Sequence, residues 1–153
     1  MQYDACTSVI LIVEDREDDI VLIDKFFQSA GIPNPLQFVR TGEEAVAYLS
    51  GEGKYSNRAE YPLPAIILLD LKMPGLSGFE FLQWLHSESP GDQRLIPVVV
   101  MSSSGLPEDV KRAYALGVNS YMTKPVDWNS FKERIKALGI YWSEHAETPA
   151  ISS

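Results

Sequence analysis

The sequence has one cysteine, Cys6, which excludes an internal disulfide and any metal site built from several thiolates; Cys6 itself reads as a free surface thiol. Long apolar runs are also missing. The longest, residues 9–13 and 65–69, are five residues each, whereas a membrane span needs about 20. No basic stretch followed by an apolar one opens the chain, so no secretory signal is expected and the protein reads as cytoplasmic. Basic charge is in deficit: 13 Lys and Arg stand against 21 Asp and Glu, a formal net charge of −8 with a pI near 4.7. Such a chain is repelled by phosphate backbones, and without a local basic run a nucleic-acid-binding output is excluded.

What remains is the balance of an ordinary globular protein, 45% hydrophobic and 22% charged over 153 residues, the length of about one domain. Short apolar runs alternate with segments of helical period. Residues 9–13 end abruptly in Glu14 and Asp15. Ile20, Ile23, Phe27 and Ala30 then mark an amphipathic helix that Gly31 and Pro33 stop. Residues 36–39 form a second strand. Thr41 and Glu44 have capping-box spacing before a helix to about Leu49, and residues 51–64 read as a surface loop lengthened by an insertion.

Residues 65–69 are a buried third strand ending at Asp70, followed by a second capping box, Ser77 to Glu80. Residues 97–101 run into Ser102, Ser103 and Ser104, and Pro107 suits the first turn of the next helix. Residues 118–122 stop at Lys124 and Pro125. Asp127 caps a last helix carrying Trp128, Phe131, Ile135 and Leu138, and the chain is expected to fray from Ser143. Five β–α units with continuously apolar strands predict an α/β fold, a doubly wound five-stranded parallel sheet with helices on both faces. No repeat, linker or second domain interrupts it.

Open parallel sheets bind ligands beyond the carboxyl ends of their strands. Those ends carry Glu14 and Asp15, Asp70, Ser102 and Lys124, so three carboxylates, a hydroxyl and an ammonium share one edge. Converging carboxylates repel, and a divalent cation relieves the conflict; an all-oxygen donor set selects Mg²⁺, or Mn²⁺, over Zn²⁺. Lysine and hydroxyl can hold the remaining oxygens of a phosphoryl group, and aspartate is a known phosphoryl acceptor. Taken singly these residues are ordinary: Ser102–Ser104 is turn chemistry, Lys124 a strand terminator, Tyr121 packing. Asp18 and Asp19 read as favourable charge in a helix first turn.

The stretches ILIVED at 10–15, LLDLKMPGLSGFEFL at 68–82, IPVVVMSS at 96–103 and GVNSYMTKP at 117–125 resemble the receiver domain of two-component response regulators. The resemblance implies a flavodoxin-like sheet of order 2-1-3-4-5 and a receiver domain over residues 1–142, with a flexible tail at 143–153. It implies that Asp70 accepts a phosphoryl group from a sensor histidine kinase. Glu14, Asp15, Asp70 and the backbone carbonyl of Lys72 would then ligate Mg²⁺. Lys124 would pair with the phosphoryl group through a cis bond to Pro125, Ser102 would be the switch hydroxyl, and Tyr121 the aromatic that turns inward.

On this reading the chain is not an enzyme on a separate substrate but a phosphoacceptor that assists its own Mg²⁺-dependent phosphorylation and dephosphorylation. Its output is through a downstream protein or relay partner. Too little sequence follows Pro125 for an output domain, so a single-domain regulator is expected. The long loop together with Tyr141 and Trp142 is similar to the regulators associated with bacterial phytochrome kinases, and these two aromatics permit a homodimer. The alternative is a pseudo-receiver, a binding module that is never phosphorylated. A P-loop NTPase lacks its GxxxxGK[ST] motif here. A flavodoxin would meet repulsion at Glu14 and Asp15, and a haloacid-dehalogenase phosphatase needs a carboxylate where Lys72 stands.

Overall fold

Strands that are apolar at every position must be covered on both faces, and the structure, a computed structural model describing residues 8–151, covers them. The strands are β1 (Ile10–Val13), β2 (Leu36–Val39), β3 (Ile66–Leu69), β4 (Val98–Ser102) and β5 (Ser120–Thr123). They form one sheet of order β2-β1-β3-β4-β5 with every pair parallel, the doubly wound arrangement expected. The helices are α1 (Glu17–Ser29), α2 (Gly42–Ser50), α3 (Gly78–Ser87), α4 (Pro107–Ala115) and α5 (Trp128–Ile140).

Alternate strand residues define two cores. Ile10, Ile12, Leu68 and Val99 pack with Ile23 and Phe27 of α1 and Phe131 and Ile135 of α5; Phe26 and Phe131 meet edge to face at 5.6 Å between ring centres. On the opposite face Leu11, Val13, Ile67 and Val100 pack with Tyr48, Phe81, Leu82 and Ala113, from α2, α3 and α4. Each such aliphatic side chain removed from water contributes about 1.5–3 kcal/mol. The three central strands are buried throughout, while β2 and β5, at the edges, are only partly so.

Local details depart from the sequence expectations for identifiable reasons. The fifth strand starts at Ser120 instead of 118: at Asn119 the backbone N–H donates to the Val98 carbonyl at 2.9 Å, but the Val98 N–H is taken by the Asn119 side-chain Oδ1, also at 2.9 Å, in place of a backbone carbonyl. Thr41 caps α2 by accepting the Glu44 N–H at 3.0 Å, but the capping box is half formed, since the Glu44 carboxylate accepts the Tyr55 hydroxyl at 2.9 Å instead. The box at Ser77 and Glu80 is complete.

Residues 51–64 are more than a surface loop. They contain a short 3₁₀ turn, Gly53–Ser56, and bury Tyr55 and Leu63. Tyr48, Tyr55 and Tyr61 form an aromatic cluster with ring centres 5.0–6.0 Å apart. Beyond α5 the chain continues as a π-helical turn, Tyr141–His145, so the boundary drawn at 142/143 falls inside a turn; Ser143 is buried and Ile151 packs against the α2–α3 core. Cys6 lies outside the described residues. Among those described, no helix is long and apolar enough to cross a membrane.

Candidate functional site

Register brings the strand ends together. Val13 is paired with Leu69, so Glu14 and Asp70 leave adjacent strands at the same level, and the Asp70 N–H donates to the Val13 carbonyl at 3.0 Å. Ser102 is paired with Thr123, and the Lys124 N–H donates to the Ser102 carbonyl at 2.7 Å. Below Asp70 the chain turns sharply: the Lys72 N–H donates to Asp70 Oδ1 at 3.2 Å, and Gly78 lets α3 press on the turn, where a Cβ would stand 2.6 Å from Leu71 Cα and 2.7 Å from the Asp70 carbonyl oxygen.

Three of the expected ligands converge. Glu14, Asp15 and Asp70 each offer a carboxylate oxygen, and these atoms lie within 4.8 Å of one another. Lys124 joins them: its ammonium is 2.5 Å from Glu14 Oε2, 2.8 Å from Asp19 Oδ2 and 3.6 Å from Asp70 Oδ2. A cavity of about 550 Å³ opens beside the cluster, lined by Asp15, Asp70, Lys72 and Lys124 together with Arg16, Asp19 and Ser103.

Burial governs the charges. It pushes Glu14 up to about 7, reinforced by the Asp70 charge and opposed by Lys124. It also raises Asp70, with Lys124 pulling the other way. For Lys124 burial alone would lower the ammonium, but the charges of Asp70 and Glu14 prevail and the net direction is upward.

The cluster fits a hard divalent cation. Asp15 Oδ1 is buried without a hydrogen-bond partner, the donors are all oxygen, and the carboxylates outnumber the one lysine among them. The Lys72 side chain is exposed at the cavity wall.

Ser102 is buried at the end of β4, and its hydroxyl oxygen accepts the Ser104 N–H at 3.2 Å; it is Ser103 that lines the cavity. Ser104 works as turn chemistry, its hydroxyl donating to Asp109 at 2.6 Å at the start of α4. Tyr121 is half-buried, and its hydroxyl donates to the Ser104 carbonyl at 2.6 Å, tying β5 to the loop after β4.

Two expectations are corrected here. The Lys124–Pro125 bond is trans, as is every described peptide bond. Trans is the intrinsically favoured isomer by about 0.5–1 kcal/mol, and the residue after the proline, Val126, is fully exposed. Asp19 is not merely first-turn charge, because Lys124 reaches it. Its place in the first turn of the helix that directly follows Glu14 and Asp15 is the signal that could have brought it into the site.

A doubly wound sheet with clustered acids and one lysine at its carboxyl edge defines the class: an α/β protein whose strand ends gather a carboxylate set fit for a divalent cation. Residues 10–136 match the response regulator receiver domain, and the chain belongs to that family, which acts in two-component signalling alongside sensor histidine kinases. It is 35% identical over 142 residues to response regulator Rcp1 of Synechocystis sp., covering 93% of each chain. It superposes on the phosphorylated cyanobacterial phytochrome response regulator RcpA with a TM-score of 0.86 at 36% identity, covering 94% of this chain and 99% of the other. Response regulator RPA3017, from red light signalling in R. palustris, gives 0.85 at 31% identity with the same coverage. The Mn²⁺-bound form of Rcp1 gives 0.84 at 35%, again over 94% and 99%.

Proposed function

We propose that this receiver domain is an Mg²⁺-dependent phosphoacceptor that takes a phosphoryl group onto Asp70 from the phosphohistidine of a sensor histidine kinase. The observation that carries the reading is the meeting of Glu14, Asp15 and Asp70 around a buried, unpartnered oxygen with Lys124 in reach. A carboxylate oxygen of Asp70 attacks phosphorus, the P–N bond to the kinase imidazole breaks, and the imidazole departs with its electron pair and is protonated. Lys124 neutralises charge on the transferred group, and the Ser102 hydroxyl donates to it after releasing the Ser104 amide. Glu14, Asp15, Asp70 and the Lys72 carbonyl would hold the metal, which supplies charge neutralisation at the phosphoryl oxygens. The same groups serve the later hydrolysis, in which water attacks phosphorus, the P–O bond to Asp70 breaks and the carboxylate departs with inorganic phosphate released, so the chain assists its own chemistry without turning over a separate substrate.

Likeness to RcpA and RPA3017 supports a kinase of phytochrome type. Likeness to Mn²⁺-bound Rcp1 supports a metal in the acidic cluster. The surface formed by α4, β5 and α5 is where a downstream partner or a second copy would read the change, because Ser102 and Tyr121 both bond to the loop leading into α4. The test is intact-protein mass after incubation with acetyl phosphate and Mg²⁺. One added phosphoryl group, absent without the metal and absent in Asp70→Asn, supports the reading. An unmodified wild-type protein leaves the pseudo-receiver, a binding module with an idle acidic pocket.

A further inference from the structure

Lys124, within reach of Asp70, is held more tightly by two other carboxylates. Its ammonium has three donors, and two are engaged by carboxylates other than the acceptor: Glu14 Oε2 at 2.5 Å and Asp19 Oδ2 at 2.8 Å, with Asp70 Oδ2 further off at 3.6 Å. Asp19 stands outside the three-carboxylate cluster. It projects from the first turn of α1, its side chain only 19% exposed. The oxygen that binds Lys124 also lies 3.9 Å from Nε of Arg16, whose side chain is 68% exposed. One carboxylate oxygen is thus shared between a buried cation and a cation at the cavity rim.

We propose that Asp19 is a positioning residue that holds Lys124 back from Asp70 in the resting protein, and that Arg16 takes over Asp19 when Lys124 moves to the phosphoryl group. The proposal rests on reading Asp70 as the acceptor. A phosphoryl group on Asp70 adds negative charge beside Lys124 and draws the ammonium from Asp19 towards it. Asp19 would then be left partly buried without its cation, which is costly unless a replacement is near. Arg16 is that replacement, already in range and free at its outer end. The backbone N–H of Arg16 meanwhile holds Glu14 Oε1 at 3.1 Å, so the second partner of Lys124 stays fixed during the exchange. Asp19 sets how strongly the resting state resists phosphorylation, and Arg16 lowers that resistance.

Three variants test this: Asp19→Asn, which keeps the shape and removes the charge; Asp18→Asn, which removes the same charge from the exposed neighbour that does not touch Lys124; and Arg16→Gln. The phosphorylated fraction is read by intact mass at limiting acetyl phosphate and saturating Mg²⁺, and the Lys124 Nζ resonance is followed by NMR in lysine-labelled, unphosphorylated protein. The ratio of phosphorylated to free protein should rise roughly three- to tenfold in Asp19→Asn, the weight of one charge-assisted hydrogen bond near the surface. It should stay close to wild type in Asp18→Asn and fall in Arg16→Gln, and the Lys124 resonance should shift in Asp19→Asn but not in Asp18→Asn. Equal gains in Asp18→Asn and Asp19→Asn, or an unmoved Lys124 resonance in Asp19→Asn, would overturn the proposal by reducing Asp19 to general field. A wild-type protein that takes no phosphoryl group would instead sink the reading of Asp70, and this proposal with it. A wild-type protein that is phosphorylated no differently from Asp19→Asn would sink the positioning role alone.

Discussion

Lys124 and Glu14, 110 residues apart in the chain, form a buried ion pair of 2.5 Å that closes the acidic cluster between the first and last strands of the chain. Removing one partner of such a pair leaves uncompensated buried charge, which costs about 3–5 kcal/mol when nothing relieves it. Lys124→Met is therefore expected to lower the stability of metal-free protein by a figure of that order. A divalent cation restores the missing charge, so added Mg²⁺ should raise the melting temperature more in the variant than in wild type. Thermal denaturation with and without Mg²⁺ checks both, and equal metal-induced gains would count against the cation-for-lysine exchange.

Arg58 anchors the long loop. Its guanidinium donates to the carbonyls of Tyr48 at 2.7 Å and Leu49 at 2.8 Å near the end of α2 and of Tyr61 at 3.3 Å within the loop; Tyr48 also accepts the Gly51 N–H and Leu49 the Gln93 side-chain amide, so Arg58 ties the loop to the helix end as a second donor. Arg58→Ala is expected to cost about 1.5–3 kcal/mol, the range for hydrogen bonds to a charged group, with the loss visible in urea unfolding. The rate of phosphorylation should be unaffected, because the loop stands apart from the strand-end pocket.

Lys72 is exposed and lines the pocket two residues after Asp70. With Asp70 as the proposed acceptor, Lys72 would screen the acyl phosphate from water. Lys72→Ala should shorten the phosphoryl half-life severalfold, measured as decay of the modified mass after removal of the donor; an unchanged half-life would remove the screening role.

Asp127 caps α5, accepting from the Asn129 N–H at 3.1 Å and the Ser130 N–H at 3.3 Å as well as from the Ser130 hydroxyl. The Ser130 hydroxyl first, and then the Asn129 amide, hold its carboxyl below the usual 3.8. Unfolding releases those donors and returns the group to its ordinary value, so the unfolded chain binds the proton more readily. The cap's contribution is complete above the unfolded pKa and is lost as pH falls through the lower folded one. Asp127→Ala should lower the melting temperature at neutral pH, and the gap should close in strong acid; a gap independent of pH would mean that the charge plays no part.

The sequence was legible where one physical rule decides the outcome. Apolar runs such as 66–69 and 98–101 had to be central strands, and parallel strands put Glu14, Asp70, Ser102 and Lys124 at one edge. The order of the strands came through family resemblance, since periodicity says nothing of which strand lies beside which. What stayed hidden depends on contacts between distant segments. Glu44 leaves its capping box because Tyr55, eleven residues on, offers a hydroxyl. Asp19 reads as an ordinary helix-start acid until Lys124, from the far end of the chain, arrives beside it. The bond to Pro125 is trans where the resemblance implied cis, an isomer that no local pattern of residues announces.

The central claim is that Asp70 carries the phosphoryl group. Its most direct test is borohydride reduction of the phosphorylated protein, which converts an aspartyl phosphate to homoserine, followed by peptide mass spectrometry. Homoserine at position 70 and at no other carboxylate of the cluster is the predicted result. Homoserine at position 15, or no reduction product in protein shown to carry the added mass, would contradict the account.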